Sequence, residues 1–280
     1  MLRRLADSPY RPVLVVTRPD RPRGRGRKLA SPPVAEVARE LGLALAQPES
    51  VNDEAGLALI ADARPETVVV CAFGALIKEP LLSTYPMLNV HPSLLPRWRG
   101  AAPIERAIMS GDERTGVSIM ELTEGLDSGP VCAQALDAIA PDDTYGTLAE
   151  RLERIGADLL VRVLDTSPAC RPQDEALATY AAKIGPEDRE LDPSRPAVEL
   201  ERTVRALTPH IGAHVVLSDG ERLGVSSARV LPAGPPEGEL SLDGSRPVLG
   251  CAEGALELLV VQPPGRRPMS GEDYLRGRRR

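Results

Sequence analysis

Continuous runs of apolar, β-branched residues recur along the first part of the chain, each followed by a polar loop. Such runs are typical of strands buried on both faces, as in a parallel sheet. Shorter apolar runs predict two more strands. The predicted strands cover residues 12–17, 66–74, 87–93, 116–122 and 131–136. Helical segments alternate with them, so the pattern predicts an α/β fold with a Rossmann-like, mostly parallel sheet.

Three of the intervening segments have helical spacing. In residues 31–42, Ser31 suits an N-cap, the following prolines suit the first turn and Gly42 suits the stop. Residues 103–111 also have a helical pattern. Apolar residues recur every three or four positions through 143–165, which predicts a long amphipathic helix.

The pattern changes near residue 180. Residues 184–199 are polar and contain prolines, which is typical of a linker. A short helix follows, and beyond it short strands are broken by Asp-Gly and Gly turns, the pattern of a small β-barrel or sandwich. We therefore predict one domain over residues 1–183, a linker over 184–199 and a β-rich domain over 200–280.

Composition excludes several classes of protein. Only 2% of the 280 residues are aromatic, so the core must be built from Ala, Val, Leu and Ile. The four cysteines are far apart and the chain has three histidines, which favours neither a disulfide framework nor a metal site. No apolar run reaches membrane-spanning length, and the first residues do not form a secretory signal. We expect a cytoplasmic protein without a metal.

Charge is distributed unevenly along the chain. The net charge is −6, yet residues 18–28 contain six basic residues and one acid, and residues 265–280 contain six arginines and two acids. Two basic patches on an acidic body suggest local contact with a polyanion and not general coating of DNA. The first stretch is too rich in Gly and Arg for a helix or strand, so we expect a flexible loop over the crevice of the sheet.

Candidate chemistry lies at the end of the strand predicted over 87–93. Asn89 and His91 alternate along it, so their side chains point to the same side, where open α/β sheets bind ligands. An amide can donate to an oxyanion, and an imidazole can relay a proton near neutral pH. Asp127, between glycines in a later loop, could pair with His91. Each residue also has a structural explanation, as a strand-end histidine or a turn aspartate.

A longer stretch of sequence favours the catalytic explanation of these three residues over the structural one. Residues 88–129 read LNVHPSLLPRWRGAAPIERAI, then GDERTGVSIMELTEGLDSG, and this ordered signature resembles the folate-dependent formyltransferases. The resemblance extends over nearly the whole chain. It implies transfer of the formyl group of 10-formyltetrahydrofolate to the α-amino group of methionine on initiator tRNA. It also implies that Asn89, His91 and Asp127 are the catalytic set, with no metal and no DNA partner.

The resemblance implies further binding residues. The strand and loop around VVCAFGALI would line the folate side, although the apolar members could equally be plain core. The implied folate-binding residues are Phe73, Gly74, Leu76, Ile77, Ser93, Leu94, Leu95 and Pro96. The basic loop and an OB-like carboxyl-terminal barrel would contact the tRNA. The implied tRNA-binding residues are Arg21, Arg23, Arg25, Arg27, Lys28, Arg266 and Arg267.

The beginning of the chain departs from the family pattern. Family members start with an additional apolar strand, whereas this chain opens inside what resembles their first helix; we expect a start placed at an internal methionine. Two other functions are compatible with the pattern. One is formyl transfer to a small amine or a sugar nucleotide, which needs neither the basic loop nor the barrel. The other is RNA binding by a protein that kept the scaffold but lost catalysis because of the missing strand. We expect a monomer.

Overall fold

The computed structural model describes residues 1–23 and 28–278 of the chain. Among these residues lie eight α-helices, sixteen strands and two short 3₁₀ helices. The helices are α1 Leu2–Ala6, α2 Pro33–Glu40, α3 Glu54–Ala63, α4 Leu81–Thr84, α5 Pro103–Ser110, α6 Tyr145–Thr166, α7 Ala197–Leu207 and α8 Gly271–Arg278. The strands are β1 Val15–Val16, β2 Arg21–Arg23, β3 Lys28–Ala30, β4 Leu45–Ala46, β5 Val68–Val70, β6 Met87–His91, β7 Arg99–Gly100, β8 Arg114–Glu121, β9 Val131–Ala138, β10 Tyr180–Ala181, β11 Ala213–Val216, β12 Arg222–Leu231, β13 Leu240–Ser241, β14 Val248–Gly250, β15 Ala255–Gln262 and β16 Met269–Ser270.

The chain forms two compact units that interleave along the sequence. The first unit consists of Met1–Arg99, Gly116–Leu136 and Leu152–Thr179, and the second of Gly100–Thr115, Asp137–Arg151 and Tyr180–Arg280. The first unit contains a four-stranded sheet in the order β5-β6-β8-β9. β5 and β6 run parallel, whereas β6 and β8 run antiparallel. β1 and β4 form a separate parallel pair. The predicted mixed α/β fold with parallel strands is confirmed.

Two small apolar clusters support these strands. Both consist of aliphatic residues, as expected for a chain with so few aromatic side chains. One joins α1, α2 and β1, and the other joins α3, α4 and the start of β6. The first contains Ala6, Val15, Ala38 and Leu43, and the second contains Val51, Ile60, Leu81 and Met87.

The second unit is dominated by an antiparallel sheet. Its strands follow the order β11-β12-β15-β14-β13, with β16 paired to β15. Helix α7 packs on it and shares its core, in which Leu200, Leu207, Leu223, Leu256 and Leu258 are almost fully buried. Within the described residues, no pairing between β11 and β13 closes this sheet into a barrel.

Several local predictions were wrong. Ser31 does not cap α2: the cap position is Pro32, and the Ser31 hydroxyl instead bonds to Asp20 and Arg39. The first basic stretch is not wholly a loop, because β2 and β3 form an antiparallel hairpin within it. The strand expected over 12–17 is only two residues long, and Val13 is exposed. Specific hydrogen-bond partners account for the first two differences, and local composition carried no signal for them.

Across residues 1–23 and 28–278, no helix is both long enough and apolar enough to span a bilayer.

Asp143 is the most strongly stabilised carboxylate of the second unit. It accepts hydrogen bonds from Arg151, from the backbone N–H of Ala140 and from the Thr147 hydroxyl, just before α6 begins. The guanidinium of Arg151, with these other donors, lowers the pKa of Asp143 from 3.8 to about 2. Because the folded pKa is below the unfolded one, the charged carboxylate stabilises the fold above about pH 4, and this stabilisation is lost as the pH falls towards 2.

We expect Asp143→Asn to lower the free energy of unfolding at neutral pH. The difference from the parent chain should shrink as the pH falls from about 4 towards 2, since protonation removes the same charge. Urea unfolding followed by circular dichroism at several pH values measures this difference. Asp142→Asn, at the exposed neighbouring position, is the control and should show little effect. A loss for Asp143→Asn that is constant across this pH range would contradict the assignment.

Candidate active site

Strand β6 brings two polar side chains into the interior. Asn89 is 9% exposed and His91 is 4% exposed, on alternate positions of the strand. Backbone pairing holds both edges of β6, with Asn89 opposite Val70 of β5 and His91 opposite Ser118 of β8. Buried polar groups of this kind need hydrogen-bond partners, and loops outside the strand supply them.

Asp127 is the partner common to both. The Nδ2 atom of Asn89 donates to Oδ1 of Asp127 at 3.3 Å, and Nδ1 of His91 lies 3.6 Å from Oδ2. The structure therefore brings together the amide, the imidazole and the carboxylate that the sequence singled out. At 3.6 Å the second contact is an electrostatic one and too long for a good direct hydrogen bond.

The other ring nitrogen of His91 has a partner that the sequence did not reveal. Nε2 of His91 donates to the carbonyl oxygen of Trp98 at 2.8 Å. A carbonyl can only accept, so Nε2 carries a hydrogen and Nδ1 is the nitrogen without one in the neutral ring. Nδ1 faces the Asp127 carboxylate.

Both loops that reach His91 have left-handed backbone. Trp98 has φ 63° and Asp127 has φ 46°, values that residues with a Cβ rarely adopt. Each such residue costs about 1–2 kcal/mol and persists only where its surroundings hold it. The Thr179 hydroxyl, which accepts from the Trp98 N–H at 2.9 Å, is one such restraint.

The predicted folate-binding residues lie in two loops. Because β5 and β6 are adjacent and parallel, the loops that follow them leave from the same edge of the sheet. In the loop after β5, the Gly74 carbonyl accepts from Arg18, and the Leu76 side chain is exposed. In the loop after β6, Ser93 and Leu95 are buried. Phe73 and Ile77 pack partly buried against the cluster around Met87.

A cavity of about 250 Å³ opens beside the first of these loops. Its lining combines two arginines and an aromatic ring with an acid and an amide. The main lining residues are Arg18, Arg21, Glu49, Asn52 and Phe73. Both ends of the Asn52 amide are hydrogen-bonded, because Nδ2 donates to the Leu76 carbonyl and Oδ1 accepts from the Lys78 N–H.

The predicted tRNA-binding residues are widely separated along the chain. Arg21, Arg23 and Lys28 belong to the β2–β3 hairpin. The Nη2 atom of Arg21 lies 3.4 Å from Oε2 of Glu49. Arg25 and Arg27 lie outside the described residues. Arg266 and Arg267 are exposed in the turn between β15 and β16.

Two cysteines that are distant in sequence are joined. Cys132 and Cys170 form a disulfide across 38 positions, which their spacing did not predict. The sulfurs lie within 4.8 Å of a carboxylate oxygen of Glu121, the one potential metal-ligating group found among residues 1–23 and 28–278. The bond between the sulfurs occupies two of its three ligand atoms in this structure.

Comparisons with known proteins agree on one family. The protein-family model described as formyl transferase matches residues 4–164 of this chain. The family model of the formyl transferase carboxyl-terminal domain matches residues 183–279. The methionyl-tRNA formyltransferase of Halorhodospira halophila is 44% identical, over 98% of this chain and 91% of its own. The methionyl-tRNA formyltransferase of Methylococcus capsulatus is 41% identical, over 98% of this chain and 91% of its own.

Solved structures show a shared fold at lower identity. HypX from Aquifex aeolicus, in complex with tetrahydrofolic acid, superposes with a TM-score of 0.64 and 18% identity, over 85% of this chain and 43% of its own. A methionyl-tRNA formyltransferase from Clostridium thermocellum superposes with a TM-score of 0.55 and 18% identity, over 70% of this chain and 86% of its own.

We expect the neutral ring of His91 to carry its hydrogen on Nε2, because the Trp98 carbonyl requires a donor there. Long-range ¹H–¹⁵N NMR spectra of the histidine rings at alkaline pH distinguish the two tautomers. The signals that disappear in His91→Gln identify this residue among the three histidines. A neutral ring protonated on Nδ1 would show that the Trp98 contact does not set the tautomer.

Proposed function

This chain belongs to the formyl transferase family, and we propose that it transfers the formyl group of 10-formyltetrahydrofolate to the α-amino group of methionyl-initiator tRNA. The observation that carries this proposal is the contact of Asn89 and His91 with one carboxylate, that of Asp127. Identity of 44% to a methionyl-tRNA formyltransferase over 98% of the chain supports the choice of substrates.

The reaction begins when the free amine attacks the formyl carbon. Negative charge then develops on the formyl oxygen, and donors placed beforehand lower the energy of that state. One hydrogen of the Asn89 amide is used by Asp127, which leaves the second for the oxyanion. In the protonated ring of His91, the Nδ1–H that lies 3.6 Å from the Asp127 carboxylate is the second donor.

The intermediate then collapses. The attacking nitrogen loses a proton, the bond between the formyl carbon and the folate nitrogen breaks, and that nitrogen receives a proton. His91 and Asp127 carry the proton between the two nitrogens, directly or through water. The products are formylmethionyl-tRNA and tetrahydrofolate. The residues in contact here fit this chemistry, because it requires neutral and cationic donors beside a fixed base.

The remaining predictions concern the binding surfaces. We propose that Phe73, Gly74 and Ile77 contribute to the folate side, with Leu76 and residues 93–96. We further propose that the β2–β3 hairpin and the turn at 266–267 bind tRNA phosphates. Arginine suits this role because its fork pairs with phosphate and stacks on unpaired bases.

The organisation of the chain is proposed on the same basis. We propose a catalytic domain over 1–183, a linker over 184–199 and an OB-like domain over 200–280. The two family matches, to 4–164 and 183–279, support a division into two domains. The second compact unit also includes Gly100–Thr115 and Asp137–Arg151. We propose a cytoplasmic monomer. A reducing cytoplasm would keep Cys132 and Cys170 as neighbouring thiols, whereas oxidising conditions give the bond seen here.

We expect His91→Ala and Asp127→Ala to abolish formyl transfer to methionyl-tRNA. Asn89→Ala should lower kcat by about 10²–10³-fold, since it removes one oxyanion donor. Rates are measured with purified tRNA and 10-formyltetrahydrofolate, and tRNA affinity is measured separately. Affinity should remain nearly unchanged, as it should with the exposed control Asp142→Asn. If the parent chain binds tRNA but transfers no formyl group, the function is RNA binding instead.

We expect Arg25→Ala to weaken tRNA binding and to reduce the dependence of the binding constant on salt. Loss of one phosphate contact should lower the slope of log K against log salt by about 1. Filter binding at several salt concentrations measures the slope. Arg162→Ala, at an exposed position of α6, is the control. Equal slopes for Arg25→Ala and the parent would remove Arg25 from the tRNA contact.

A further inference from the structure

The loop that carries Asp127 is held from outside by one amide. This amide is the side chain of Gln173, 46 residues after Asp127 in the chain. Its Nε2 donates to the carbonyl oxygens of Asp127 and Gly129 at 2.8 Å each. These two bonds use both hydrogens of the amide. They restrain the backbone on either side of Ser128, which includes the left-handed peptide of Asp127.

The orientation of the Gln173 amide is itself fixed. Its Oε1 accepts from Nε and Nη2 of Arg99 at 3.0 and 2.9 Å. A guanidinium only donates hydrogen bonds, so it selects the amide orientation in which the NH₂ group faces the Asp127 loop. A flipped amide would place donors against Arg99 and an acceptor against two carbonyls.

Arg99 is in turn locked in place. It is 1% exposed, and its guanidinium pairs with both carboxylate oxygens of Glu175 at 2.7 and 2.8 Å. The hydrogen bond to Arg99 lowers the pKa of Glu175, which keeps the partner charged. The backbone nearby is also tied, because Arg171 and Val131 exchange two hydrogen bonds. A series of side-chain hydrogen bonds therefore runs from Glu175 through Arg99 to Gln173. Gln173 then bonds to a loop with little freedom to move.

The loop cannot adjust on its other side. A Cβ atom on Gly129 would lie 1.9 Å from the Glu121 carbonyl oxygen, so the loop backbone packs directly against the end of β8. Contacts on both sides of this loop fix the position from which the Asp127 carboxylate reaches Asn89 and His91.

We infer that Gln173, oriented by Arg99, is a positioning residue that holds Asp127 in the left-handed conformation required for its contact with Asn89 and His91. It acts through Asp127 and does not touch the reacting atoms. The inference rests on the proposed function only for its effect on rate. The effect of Gln173 on the geometry of Asn89 does not depend on which substrate the protein uses.

Gln173→Met removes the donors, and Gln173→Glu keeps the acceptor for Arg99 while removing donation to the loop. We expect both to lower kcat by about 10²-fold, because small displacements of a catalytic group have effects of this size. KM for both substrates should change little. Gln173→Glu is the second variant should Gln173→Met unfold, and thermal melting checks both.

A double-variant cycle separates positioning from general stability. In an Asp127→Asn background, Gln173→Met should cause little further loss of rate, since its effect passes through Asp127. Losses that multiply, or a rise in KM that accounts for the whole effect, would overturn the inference.

The side-chain amide of Asn89 provides a readout without activity. Its ¹H–¹⁵N signal should shift in Gln173→Met towards the position seen in Asp127→Asn, because its contact with the carboxylate is lost. An unchanged signal would overturn the inference even if the parent proved inactive on tRNA. Should the parent be inactive while this signal shifts, the proposed function fails and the positioning role stands.

Gln47→Met is the matched control. Gln47 has the same arrangement, as its Oε1 accepts from Arg39 and its Nε2 donates to the Arg18 carbonyl and to Asp20. It is not connected to Asp127. We expect kcat and the Asn89 signal to remain at the parent values in this variant, and a comparable loss of either would assign the Gln173 effect to general loop stability.

Discussion

Burial of polar side chains on β6 is the constraint from which the site is built. The strand is paired on both edges, and Asn89 and His91 are almost removed from water. A buried polar group without a partner costs about 1–3 kcal/mol, so partners supplied by other segments stabilise the fold. The Asp127 carboxylate and the Trp98 carbonyl do so. The same contacts therefore satisfy the buried polar groups and arrange the side chains that we propose to be catalytic.

The two residues that supply these partners both have strained, left-handed backbone. Trp98 and Asp127 both have positive φ, and each directs an oxygen at a different nitrogen of His91. Left-handed backbone at such residues persists only where neighbours hold it. The Thr179 hydroxyl restrains Trp98, and Gln173 restrains Asp127. Strain here is the means by which two loops place an acceptor on each side of one ring.

Elements with a strong periodic pattern were predictable. Helix α6 occupies 145–166 where 143–165 was predicted, since its apolar stripe is long and uninterrupted. Elements that depend on specific hydrogen-bond partners were not. The β2–β3 hairpin formed within a stretch whose composition disfavours strands, and Ser31 found partners in Asp20 and Arg39 in place of a helix end. Short-range pattern carries no information about such partners.

The sequence by itself determined that Asn89 and His91 share one side of a strand, because side chains alternate along extended backbone. It also marked Asp127, through the flexible glycines around it, and the family to which the chain belongs. Only the tertiary structure decided which nitrogen of His91 faces Asp127, and that Gln173 and Arg99 hold the Asp127 loop. These contacts join residues 7 to 74 positions apart. No local periodicity encodes them, since they exist only after separate segments have packed together.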